Sequence, residues 1–122
     1  MGGINGIALS PVDGNKYISV GQDRRINFWD IRKSQAEASM DSSPNPGESE
    51  ELFAVDIQPT GKLFATGGQM GVVRIYDLES GNFLTDCRAH SSAVMCIKFS
   101  PDGKQVVSTG MDGLVAIWNV FG

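Results

Sequence analysis

Residues 14–30, 61–77 and 103–119 of this chain align with one another without a gap. In that alignment Ser19, Thr66 and Ser108 share a column. So do Gly21, Gly68 and Gly110, and so do Trp29, Tyr76 and Trp118. A second matched phrase precedes each copy: Ile-Asn-Gly-Ile-Ala-Leu-Ser-Pro from Ile4, Leu-Phe-Ala-Val-Asp-Ile-Gln-Pro from Leu52, and Val-Met-Cys-Ile-Lys-Phe-Ser-Pro from Val94. The three aromatic residues stand 47 and then 42 positions apart. Self-similarity at this period marks a repeat architecture, in which one unit cannot bury its apolar face alone and stacks on its neighbours.

Each copy reads as a run of short strands. The first strand ends at a turn bounded by proline and glycine: Pro11 to Gly14, Pro59 to Gly61, Pro101 to Gly103. Proline presets φ and glycine accepts positive φ, so the chain reverses tightly there. A second short strand follows, as at residues 105–108, and then a third, as at 115–118. Consecutive bulky residues in the third strand predict a sheet covered on both faces. A fourth strand fits residues 82–88. Four short antiparallel strands per ~40–45 residues predict the blade of a propeller.

The intervening residues 32–51 break the pattern. They are rich in Ser, Pro and Gly, and residues 34–51 hold five acids and no base. They are expected to form a solvated, flexible insertion after a frail fourth strand near 33–40. Ser43 before Pro44 is a position where a phosphate would add charge to that loop. The net charge is −4, and the rest of the chain, with nine acids and ten bases, is nearly neutral. Nucleic-acid binding, which needs a basic face, is disfavoured. No apolar run reaches the ~18–20 residues of a membrane span. Cys87 and Cys96 are too few for a disulfide framework and form no Cys-x-x-Cys pair, which favours a reducing compartment and no metal. Residues 67–71 are glycine-rich but lack the following Lys-Ser/Thr of a phosphate loop. No cofactor is expected.

These copies resemble WD40 repeats. The third carries most of the pattern: Ala-His at 89–90, Ser-Pro-Asp-Gly at 100–103, Ser108, Met-Asp-Gly at 111–113 and Ile-Trp-Asn at 117–119. The first keeps Ser19, Asp23 and Trp29-Asp30; the second has Thr66 and Tyr76-Asp77, with Met70 in place of the acidic turn residue. The resemblance implies an all-β, partial propeller of about three four-stranded antiparallel blades. The blades run over residues 1–31, 52–88 and 89–122, the last without its fourth strand. The segments at 21–30 and 62–68 are also similar to WD40 proteins of cilia and flagella that bind doublet microtubules. That likeness implies a cytoplasmic or axonemal setting.

Within the family pattern, His90, Ser108, Asp112 and Trp118 resemble a structural tetrad. The histidine would bridge a serine in the second strand and an aspartate in the next turn, and the indole N–H would donate to the serine. Ser19, Asp23 and Trp29 form a partial set, as do Thr66 and Tyr76. A His/Ser/Asp inventory also invites a catalytic triad, which needs an accessible nucleophile and an oxyanion site. Ser108 stands mid-strand between Val107 and Thr109, so the structural role is expected. Arg24, Arg25, Arg32 and Lys33 form a basic group suited to an acidic partner such as a tubulin surface. Phe53, Gln69, Met70 and Met111 near loop ends would add further contacts.

Three blades do not close a ring that takes four to eight. The expected completions are a longer propeller of which this is one part, blades from another chain, or two copies in a six-bladed ring. The expected function is a scaffold for protein–protein assembly rather than catalysis, with an enzyme or a nucleic-acid-binding propeller as the alternatives.

Overall fold

A computed structural model describes residues 3–45 and 47–120. The expected outer limits of the first and third copies, at Met1 and Gly122, lie outside the described residues. The first sheet holds β1 (Ile4–Leu9), β2 (Lys16–Gly21), β3 (Arg25–Asp30) and β4 (Ala38–Asp41). The second holds β5 (Leu52–Ile57), β6 (Leu63–Gly68), β7 (Val72–Asp77) and β8 (Phe83–Arg88). The third holds β9 (Val94–Phe99), β10 (Gln105–Gly110) and β11 (Val115–Asn119). All neighbouring strands run antiparallel in sequence order, giving, among the described residues, an all-β structure of three sheets with four, four and three strands and no helix.

The three sheets are blades stacked face to face. Their first strands lie side by side, β1 next to β5 and β5 next to β9. Period-two alternation sends the side chains of the middle blade both ways. Phe64, Tyr76, Val55 and Ile57 pack with Ile18, Val20 and Ile26 of the first blade. Leu63, Ala65, Val73 and Ile75 pack with Val94, Ile97, Phe99 and Val106 of the third. Every residue of β6 is buried, and so are residues 72–76 of β7, the third strand, where consecutive bulk predicts cover on both faces. Each such side chain contributes about 1.5–3 kcal/mol when fully buried. Polar stitches hold the innermost strands together: Asn5 Nδ2 donates to Leu52 O at 2.9 Å, and Phe99 N donates to Asp56 Oδ2 at 2.8 Å.

The two end blades are covered on one face only. On the first, Ile7 and Leu9 stay 56% and 63% exposed; on the third, Val115 and Ile117 stay 63% and 61% exposed. The Ser19 and Trp29 side chains share the open face of the first blade, because Tyr17, which stacks on Trp29, pairs across from Leu9. In the third blade the Ser108 and Trp118 side chains instead face the middle blade. The Ser/aromatic face of each blade therefore points toward the blade before it.

Residues 32–51 carry a fourth strand overlapping the stretch where a frail one was expected, and beyond it they differ from the expected flexible insertion. Residues 38–41 form β4, paired along β3 from Arg25↔Asp41 to Phe28↔Ala38. Ser42, Ser43 and Glu50 are buried at 0%, 6% and 1% exposure. The physical reason is a set of polar anchors that composition does not reveal. Glu50 N donates to Ser42 Oγ, and Ser49 Oγ donates to Asp41. Ser43 Oγ accepts Asn45 N, so a phosphate on Ser43 requires this turn to open.

Candidate functional site

The third blade assembles its polar network at the loop end of the sheet. His90 lies in the loop before β9, Ser108 in the middle of β10, and Asp112 in the turn before β11. The ring stands between the other two, with Nδ1 3.1 Å from Asp112 Oδ1 and Nε2 2.9 Å from Ser108 Oγ. With a neutral ring, Nδ1–H donates to the carboxylate and the serine hydroxyl donates to Nε2. Asp112 also accepts Ser91 N and Leu114 N, both at 3.1 Å. Burial pushes its carboxyl up, but the bonds from Leu114, Ser91 and His90 outweigh that and hold it below the usual carboxylate value. Gly110 makes the close approach possible: a Cβ there would lie 2.6 Å from His90 Nδ1 and 2.7 Å from Asp112 Oδ1.

Trp118 lies on the same face but outside this network; its Nε1 is buried and has no hydrogen-bond partner among the described residues. The first blade shows the reverse. Trp29 Nε1 donates to Ser19 Oγ at 2.8 Å, and the column that holds His90 falls before Met1. The serine column is thus engaged by histidine in one blade and by indole in another. Asp23 caps its turn as Asp112 does, accepting Arg25 N at 3.1 Å and Asn27 Nδ2 at 3.1 Å.

The middle blade has a different arrangement that the sequence reading missed. Arg74 pairs across from Thr66 and is 3% exposed, inside a sheet covered on both faces. Glu50 reaches it from the segment read as a loop: its Oε2 accepts Arg74 Nη1 and its Oε1 accepts Met70 N at 2.9 Å. A Cβ on Gly68 would lie 2.9 Å from Glu50 Oε1, just as a Cβ on Gly110 would meet His90. A carboxylate and a guanidinium therefore take over the place of the histidine network. Thr66 Oγ1 is left without a partner among the described residues. Tyr76 donates to Ser42 O at 3.4 Å, and burial pushes its hydroxyl up to about 12. The available signal was Arg74 itself, a charge in a run of apolar residues that demands a buried acid.

The expected basic group is not a group. Arg24 and Arg25 stand at one end of β3 and Arg32 and Lys33 beyond the other, with six residues of strand between. Arg32 is held by Asp30, with Nε to Oδ1 at 2.9 Å and Nη2 to Oδ2 at 2.6 Å, and Lys33 pairs with Glu37 at 2.7 Å. Arg25 Nε donates to Ser39 Oγ, and Arg24 takes φ 62° in the turn where the other copies place Gly71 and Gly113. Of the other loop-end residues, Met70 and Met111 are 42% and 71% exposed and Phe53 is half-buried.

Chemically, the Asp112–His90–Ser108 chain has the connectivity of a hydrolase triad. Its accessibility is the opposite of one. The His90 side chain and Ser108 show no exposed surface, so Ser108 Oγ meets no substrate while the blades stay packed. What the network does in place is tie a loop and a turn to the middle strand.

The family profile described as "WD domain, G-beta repeat" matches residues 81–119. The solved structure "Crystal structure of RRP9 WD40 repeats" superposes on the fold with a TM-score of 0.89 and 25% sequence identity, over 98% of this chain and 36% of that one. The chain belongs to the WD40-repeat family. Its WD40 relatives include "WD repeat-containing protein 91 homolog" of Dictyostelium discoideum, 30% identical over 96% of this chain. "Cilia- and flagella-associated protein 52" of Chlamydomonas reinhardtii is 26% identical over 88%. The WD40 blades described here span 15% and 17% of the lengths of those two relatives.

Proposed function

We propose that this WD40 chain is a non-catalytic scaffold unit that holds other proteins together as part of a larger propeller or complex. The observation that carries this reading is the contrast in exposure. The side chains with chemical potential, His90 and Ser108, are sealed, while Ile7, Leu9, Val115 and Ile117 are open on the two end faces. Those faces suit protein cover, and propeller loops offer rigid binding surfaces. Cross-linking of the assembled protein through Lys98, which lies exposed on β9, tests it. Links into another blade-like segment are expected; a monodisperse, well-melting monomer of these three blades alone contradicts it. Hydrolase activity lost in Ser108→Ala with the fold intact would establish the enzyme alternative instead.

The finer reading is a structural component of ciliary or axonemal microtubules. Relatives named cilia- and flagella-associated support it, and Arg24 and Arg25 are the basic residues left to meet an acidic tubulin surface. Co-sedimentation with microtubules is expected to weaken when both arginines become Glu and when salt rises. Unchanged sedimentation in that variant removes the tubulin contact.

A further inference from the structure

Ile7, Leu9, Val115 and Ile117 leave apolar surface open on the two end faces, where a neighbouring blade would cover it. One cleft is different. It lies between the first and second blades, which are both in place, so no further blade reaches it. Its volume is about 580 Å³, with apolar walls formed by Ile18, Phe28, Ile57 and Leu78. Past Phe28 and Leu78 it runs into a second hollow of about 540 Å³, against β4 and the turn at Ser80 and Gly81.

The cause is one side chain. Lys16 occupies the column that Leu63 occupies in the second copy. Leu63 is buried among the apolar residues between the second and third blades. Lys16 also lines the cleft, but its ammonium is drawn to Glu37, another lining residue, at 2.6 Å and to Asp30 at 3.4 Å, so no apolar side chain fills the space between the walls. The rim is acidic. Asp13 and Glu79 both border the cleft, and among the described residues neither has an ion-pair partner. Lys16 does not offset them, being shared between two carboxylates. Beside the cleft, β4 is the outermost strand of its sheet and, among the described residues, pairs only with β3, which leaves its second edge open.

We infer that this cleft is a docking groove for an extended segment of a partner protein that carries a bulky apolar side chain next to Lys or Arg. The apolar side chain fills the space between Phe28 and Leu78, the cation meets Asp13 and Glu79, and the segment's backbone pairs along the free edge of β4. The inference rests on the scaffold reading and names the partner class for one surface of it.

Random peptides displayed on phage, selected on the full chain in its assembled form, supply the probe; the best binder is made with a fluorescent label and titrated by anisotropy. Apolar–basic sequences are expected to emerge. Asp13→Lys combined with Glu79→Lys is expected to weaken binding by about tenfold or more. It should also remove the weakening by salt. Lys16→Leu, which fills the cleft as Leu63 does, is expected to abolish binding while the melting temperature holds. The inference is overturned if no peptide is enriched, if the enriched peptides lack a cation, or if Lys16→Leu binds as well as the parent chain. The scaffold reading has its own readout: partners cross-linked to the Lys16→Leu chain as to the parent keep that reading standing when the groove fails.

Discussion

Glu50→Ala is the sharpest probe of the middle blade. It leaves the Arg74 guanidinium, 3% exposed, between two packed blades with no counter-charge, and it removes the acceptor of Met70 N. Breaking a buried pair by removing one partner costs about 3–5 kcal/mol. For a chain of this size that is a fall of about 10–20 °C in melting temperature. The double change Glu50→Leu with Arg74→Met removes both charges and keeps much of the volume, so it should recover most of the loss. The assay is urea and thermal unfolding, followed by circular dichroism, of the parent, Glu50→Leu, Arg74→Met and their combination in a double-mutant cycle, with Glu50→Ala alongside. If Glu50→Ala melts within about a degree of the parent, or if the double variant is no better than the single one, the pair does not support the blade as argued.

Gly110→Ala should be destabilising by about 1–3 kcal/mol, since its Cβ would collide with His90 and Asp112 in a site with no slack; chemical denaturation measures it. His90→Ala should cost a similar about 1–3 kcal/mol by leaving Ser108 Oγ buried without its partner, whereas unchanged melting would mean the network holds nothing. The fork of Arg32 holds the Asp30 carboxyl below its ordinary 3.8, and hydrogen bonds from Lys16 lower Glu37. Depressed carboxyls stabilise the fold above their unfolded values, so the urea midpoint should be level near neutral pH and fall as the pH drops through the acid range below about 4, less steeply in Asp30→Asn. Arg24→Gly relieves a left-handed residue at some entropic cost, for a net gain of about 0.5–1 kcal/mol by thermal melting.

The repeat columns made the blades legible. Pro and Gly at the reversals, together with the alternation inside each strand, located β1 to β3 and β5 to β11 because those signals are local. β4 falls at the end of the stretch where a frail fourth strand was expected, but the buried residues among 42–51 were not legible. Their order comes from Ser42, Asp41 and Glu50 reaching partners far along the chain, and Ser/Glu-rich composition reads the same whether such partners exist or not. His90 lies within hydrogen-bond distance of Ser108 and Asp112, whereas the indole N–H of Trp118 has no partner among the described residues, although Ser108 Oγ, donating to His90, keeps acceptor capacity for it. The basic residues looked grouped because sequence proximity ignores strand length: β3 separates Arg25 from Arg32, and Asp30 claims the latter.

That each Ser/aromatic face points to the preceding blade has a consequence for assembly. The open face of the first blade and the open face of the third are unlike surfaces, so any contact between copies through them would be head-to-tail rather than two-fold symmetric. Such contacts end only when the accumulated rotation returns to its start. Three-blade units whose turn falls short of closure, or overshoots it, would grow into a polar helical filament instead of a ring. The angle between adjacent blades, set by side chains as small as Ala54 and Ala65 in the interfaces, therefore decides between a finite particle and a polymer.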